Sequence, residues 1–134
     1  VEAQIKYTGL ENFTIAIGTA QENDDTDTVD DYYNFWVQYS GIDSLIIGAE
    51  YNSYDYNGKD GDSWMLMGNY SVNEKLGVTV RFSEVEEGTY EADKFTISPS
   101  YSFSDNLLGR LEYSTGEVGT TDADYFSIEA LFTF

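Results

Sequence analysis

Along this chain apolar residues recur at every second position, and the three-to-four spacing of a helix is nowhere sustained. The last ten residues show it most cleanly. Phe126, Ile128, Ala130, Phe132 and Phe134 fall on one parity, and Tyr125, Ser127, Glu129, Leu131 and Thr133 on the other. Successive side chains of a strand point to opposite faces, so this pattern is a strand with one apolar face. The same grammar runs upstream. Residues 2–9 set Ala3, Ile5 and Tyr7 against Glu2, Gln4, Lys6 and Thr8, and residues 12–21 set Phe13, Ile15 and Ile17 on one face. Further runs follow at about 32–40 (Tyr33, Phe35, Val37, Tyr39), 45–52 (Leu45, Ile47, Ala49, Tyr51), 64–70, 76–82, 95–103 and 107–113. The pattern predicts about nine strands in an all-β, antiparallel, up-and-down meander.

Two regularities narrow the fold. Short connections at 9–11, 41–43, 73–74 and 104–106 alternate with longer acidic stretches at 23–31, 55–62, 86–93 and 119–124, which are expected to be loops. The apolar faces are also sorted along the strands. Tyr7, Phe13, Tyr39, Tyr70, Tyr101, Phe103, Phe132 and Phe134 gather near the short turns, and Phe35, Tyr51, Trp64, Phe82, Phe95, Tyr113 and Phe126 near the acidic ends. Aliphatic residues such as Ile15, Val37, Ile47, Leu66, Val80, Leu111 and Ile128 lie between. An apolar band between two aromatic rows is what a bilayer asks of a barrel exterior. A soluble β-sandwich also alternates, but has no reason to sort aromatics by height. Pro99 falls mid-strand on the apolar parity, where it removes a ladder donor, so a bulge is expected there.

Composition removes several classes of function. With 25 Asp+Glu against 6 Lys+Arg the net charge is −19, and nucleic acid, which needs a basic surface, is excluded as a partner. There is no Cys and no His, so disulfides, thiolate or Ser-His nucleophiles and zinc chemistry are absent. No apolar run reaches the roughly 18 residues of a membrane helix, a criterion that strand-built barrels escape. Val1 opens no basic or apolar leader, so either a leader was removed or the chain starts inside a longer protein.

The polar parity carries Lys6, Asn34, Gln38, Glu50, Asn69, Arg81, Arg110, Glu112 and Glu129, the candidate lining of a pore. Val80, Leu111, Phe126, Ile128, Phe132 and Phe134 are the candidate lipid-facing set. Glu50 and Glu112 could in principle form an acid–base pair. Nothing places them at a cleft, and no enzymatic activity is expected. Asp55-x-Asn57-x-x-Asp60-Gly61-Asp62 resembles the opening of an EF-hand loop, though its spacing is off by one and the closing Glu is missing. A weakly bound Ca²⁺ on Asp55, Asn57, Asp60 and Asp62 is weighed there against a solvated acidic rim.

With these residues in hand, the chain resembles a bacterial outer-membrane β-barrel of porin type, in its strand grammar, its turns and its ending Glu129-Ala130-Leu131-Phe132-Thr133-Phe134. In that family the terminal Phe belongs to the signal read by the insertion machinery. The resemblance implies a passive channel for small hydrophilic solutes or cations, often a homotrimer, surrounded by membrane lipid and lipopolysaccharide, with no cofactor. The acidic mouth adds an expectation of cation preference. Such barrels have an even strand number. About nine strands therefore lead to the expectation that residues 1–134 are a single β-barrel domain forming the C-terminal part of a larger barrel, weighed against a complete eight-strand barrel with residues 2–9 as an overhang. A closed structural or adhesive barrel and a secreted β-sandwich binding module are the competing readings.

Overall fold

The computed structural model describes residues 1–21, 29–56 and 58–133. Nine strands form one antiparallel sheet in sequence order: β1 (Glu2–Tyr7), β2 (Phe13–Ala20), β3 (Val29–Ile42), β4 (Leu45–Tyr56), β5 (Lys59–Ser71), β6 (Leu76–Glu87), β7 (Tyr90–Ser104), β8 (Leu107–Val118) and β9 (Thr121–Phe132). Every neighbour is the next strand in sequence, and among the described residues β1 contacts only β2 and β9 only β8. Being first and ninth in an alternating series, the two edge strands run in the same direction.

Register follows the parity of the sequence. Phe13 lies opposite Tyr39, Tyr39 opposite Ile47, Val80 opposite Ile97, and Tyr113 opposite Phe126, so one apolar face continues from strand to strand. A one-residue slip anywhere would exchange the faces, which pins each pairing.

The row of aromatic and leucine residues nearest the short turns does not follow a single rung of the ladder. From Phe13–Tyr39 it steps two residues toward the turns to reach Leu45–Tyr70, again to Leu76–Tyr101, and again to Leu107–Phe132. Two residues rise about 6.6 Å and two strand spacings cover about 9.6 Å, so a level row requires strands tilted by about 35°. That is the tilt of a closing barrel, written in side chains.

The structure corrects three expectations. Residues 55–62, 86–93 and 119–124 are not long loops; the strands run on through them and turn in two residues. Gly58, Gly88 and Gly119 sit at those turns with φ of 69°, 61° and 62°, the left-handed backbone a two-residue hairpin needs. Beyond the apolar band both faces of a strand can be polar, so the loss of apolar alternation there does not mean the loss of strand. Asn57-Gly58 was the sequence signal for it. The stretch 22–28, with most of the first expected acidic loop, lies outside the described residues.

Pro99 causes no bulge. It pairs in register with Val78, and on its other side the ladder lapses between Ile97–Tyr113 and Ser100–Arg110 but resumes unshifted. A missing donor interrupts pairing without adding a residue. The register shift in this pair of strands falls lower, between Ser102 and Ser104.

At the opposite end the turns are laced together. The carbonyls of Asn12, Ser44, Lys75 and Asn106 accept hydrogen bonds from Ser40, Ser71, Ser102 and Thr133 at 2.8–3.0 Å. The 72–75 turn is held from within, where Asn73 Oδ1 accepts from the backbone N–H groups of Lys75 and Leu76, both at 2.9 Å. Asn73→Ala removes both bonds and should cost about 1 kcal/mol, read as a lower urea midpoint for refolding in detergent.

Candidate functional site

The two faces differ in chemistry and in crowding. Lys6, Asn34, Gln38, Glu50, Asn69, Arg81, Arg110, Glu112 and Glu129 share one face, and Val80, Leu111, Phe126, Ile128 and Phe132 share the other. Phe134 lies outside the described residues. Among the described residues, every buried one is on the polar face: Ala16, Gly18, Gly48, Gly61, Thr96, Ser98 and Ser114. The apolar side chains are instead open, with Ile128 74% and Phe132 64% exposed. Crowding on one side and splaying on the other follows when a sheet curls, so the polar face is concave. This inverts the arrangement of a soluble domain, whose apolar face is the packed one.

Among the described residues three girdle contacts are made on the convex face, one of them the edge-on pair Tyr101–Phe103 at 5.0 Å. Phe13 and Tyr39 rings lie 4.7 Å apart across their rung, and Trp64 and Phe82 rings 5.2 Å apart on a diagonal.

The concave wall is hydrogen-bonded sideways. Tyr32 donates its hydroxyl to Asn52, Asn34 donates to Glu50 at 2.8 Å and to Asn52 at 2.7 Å, and Asn52 donates to Ser63 at 3.1 Å. Farther round, Asn69 donates to Thr79 at 2.8 Å, and the hydroxyls of Thr96 and Ser114 bond at 2.9 Å. Arg110 reaches Glu129 at 3.2 Å, and Arg81 stands 3.9 Å from Glu112. Both ion pairs are substantially exposed, so each contributes little to stability. Beyond the apolar band on this face, burial pushes the phenols of Tyr32 and Tyr54 up. Glu50 adds to the effect at Tyr32, and Glu87 and Asp62 at Tyr54.

Charge is divided between the faces. Lys6, Lys59, Arg81, Lys94 and Arg110 are on the concave face with Glu2, Glu50, Glu87, Glu112 and Glu129, a balanced set. Above the upper aromatic row the convex positions are occupied by Asp55, Asp60, Asp62, Glu84, Glu86, Glu91, Asp93, Glu117, Asp122 and Asp124. These acidic residues, expected to rim a mouth, thus lie on the convex face; those at 22–28 lie outside the described residues. Alternation persists past the membrane-like band and happens to put these carboxylates on the outer parity, which a loop reading could not foresee.

Other sequence candidates are placed as follows. Asp55 and Asp60 face each other across the β4–β5 hairpin and Asp62 follows on β5, so these residues do not form a wrapping loop; Asn57 lies outside the described residues. Glu50 on β4 and Glu112 on β8 are four strand spacings apart, about 19 Å along the sheet, against the roughly 5–9.5 Å of a glycosidase pair. Among the described residues the carboxylates that do converge are Glu84, Glu86 and Glu91, with oxygens within 4.8 Å of one another. Their neighbourhood depends on the β6–β7 register, which no local pattern in the chain reveals.

No family model and no curated protein matches this sequence. Solved structures do match. The chain resembles OmpT, an outer membrane protein of Vibrio cholerae, in a form lacking loop L8 (20% identity, TM-score 0.79, covering 98% of this chain and 52% of that one). It resembles OmpF of Salmonella typhi, solved in complex with daunomycin, at 14% identity and a TM-score of 0.80, over 99% of this chain and 50% of that one. The fold is that of a bacterial outer-membrane β-barrel. In-vitro folded OmpT of Vibrio cholerae aligns as well, at 16% identity and a TM-score of 0.71. This chain spans about half the length of the barrels it matches. The open sheet and the like direction of β1 and β9 agree with an arc of a barrel wall.

Proposed function

We propose that the chain forms the C-terminal part of the wall of an outer-membrane diffusion channel for small hydrophilic solutes. The observation that carries this reading is the inverted sheet, with its crowded, charged, hydrogen-bonded face on the concave side and its aliphatic band between aromatic rows on the convex side. Lys6, Asn34, Gln38, Glu50, Asn69, Arg81, Arg110, Glu112 and Glu129 then face water in the lumen. Val80, Leu111, Phe126, Ile128 and Phe132 face lipid or a neighbouring protomer. Charged residues at membrane depth are tolerated only where they meet a lumen or each other; a lumen accommodates all six here, and Arg81 with Glu112 and Arg110 with Glu129 also meet each other.

The channel prefers cations. Its lining is balanced, so the preference comes from the acidic belt around the upper end, whose field extends over roughly 8 Å at physiological salt and about 3 Å at 1 M. The complete barrel in a planar bilayer under a KCl gradient should give a cation-selective reversal potential that shrinks toward zero at high salt. Anion preference would refute the assignment. The hydrogen-bonded rib from Asn34 through Glu50 and Asn52 to Ser63 favours a second reading, a closed structural barrel, and a barrel that folds without conducting would establish that reading instead.

A further inference from the structure

One rung of the concave wall is unlike the others. Glu50, Met65, Ser83 and Lys94 lie directly opposite one another on β4, β5, β6 and β7. They border a trough of about 470 Å³ on the concave side, with Val85 beside them. The other membrane-depth charges of strands β6–β9 are engaged, Arg81 with Glu112 and Arg110 with Glu129. Lys94 is exposed and, among the described residues, its ammonium has no hydrogen-bond or ion-pair partner. Glu50 accepts one hydrogen bond, from Asn34, and a carboxylate has capacity for more. A free cation and an accessible anion thus stand at opposite ends of a trough with an apolar floor.

Beyond Lys94 the rung continues to Gly116, which has no side chain to crowd it. Three strand spacings separate the Glu50 and Lys94 backbones, about 14 Å, and both side chains project into the concavity, which shortens the gap. An extended peptide of three residues spans about 10 Å. A simple cation would engage Glu50 alone and a simple anion Lys94 alone. Only a solute with both charges and an apolar middle uses the whole rung.

We propose that this rung is a subsite for short zwitterionic peptides, the solute carboxylate at Lys94, its ammonium at Glu50 and its body over Met65 and Val85. The proposal rests on the channel reading for its physiological setting, since it names the class of solute that the wall would retain.

The test is calorimetric titration of the complete barrel containing this chain, folded in detergent, with trialanine and with the same peptide acetylated at one end and amidated at the other. Free trialanine should bind and the capped peptide should bind at least about tenfold more weakly, since each end loses a charge-assisted hydrogen bond. Lys94→Met and Glu50→Gln should each weaken free trialanine about tenfold and leave the capped peptide unaffected, while Lys94→Arg retains binding. Heat-modifiable migration verifies that each variant is folded, and the two single variants probe opposite ends independently. Equal binding of free and capped peptide, no binding of either, or indifference to Lys94→Met overturns the subsite. KCl conductance of the same preparations separates the two readings. Conductance without discrimination between the peptides removes the subsite alone, and discrimination without conductance removes the channel and leaves a peptide-binding wall.

Discussion

Replacing Val80 by arginine should destabilise the barrel in lipid by about 2–4 kcal/mol. Val80 lies on β6 between Gly68 and Ile97 on the neighbouring strands, with Val78 and Phe82 on either side along its own strand. It belongs to the aliphatic band, is 38% exposed, and faces away from every polar group of the wall. A guanidinium there has neither water nor a carboxylate within reach, and the cost of burying it in hydrocarbon is what the measurement reads. Arg81 is the internal comparison, since the next residue carries the same group on the concave side, 3.9 Å from Glu112. Equilibrium urea titrations of folding into phosphatidylcholine vesicles give the difference directly. A change below about 1 kcal/mol would mean that Val80 meets water or protein, and the inside and outside of the sheet would have to be exchanged.

Gly116→Val should cost about 1–3 kcal/mol or more, whereas Gly68→Ala should gain about 0.5–1 kcal/mol. Both glycines sit within strands. A Cβ built on Gly116 would lie 2.0 Å from the carbonyl oxygen of Asp93 and 2.9 Å from the Cα of Lys94, so the backbone of β7 itself would have to move. At Gly68 a Cβ meets nothing within 4 Å, and alanine there only narrows the conformations open to the unfolded chain. The pair is best read by urea midpoints in one detergent, where membrane terms cancel. Equal and small effects at both positions would show that β7 and β8 are not held as closely as their register requires. Because Gly116 continues the rung of Lys94, its valine variant should also lower trialanine affinity if it folds.

The elements and their faces are legible in the chain alone. Alternation with a period of two needs no partner to be read, and a strand with Phe126, Ile128 and Ala130 on one side and Ser127 and Glu129 on the other has only one way to divide them. The aromatic rows at Tyr39, Tyr70 and Tyr101 and at Tyr51, Trp64 and Phe82 were legible for the same reason: distance along a strand is distance through a membrane. What the sequence misjudged lay where the apolar signal stops. Past Tyr51 and Trp64 both faces are polar, and a polar strand and a polar loop look alike until a glycine such as Gly58, at a φ of 69°, closes the turn between them. How rungs align across strands is settled only once the strands are paired. That alignment brought Glu84, Glu86 and Glu91 together, paired Arg81 with Glu112, and set Lys94 three strands along from Glu50 by way of Met65 and Ser83. Cross-strand register is a relation between residues far apart in the chain, fixed by turn length, bulges and tilt acting together, and no local pattern contains it.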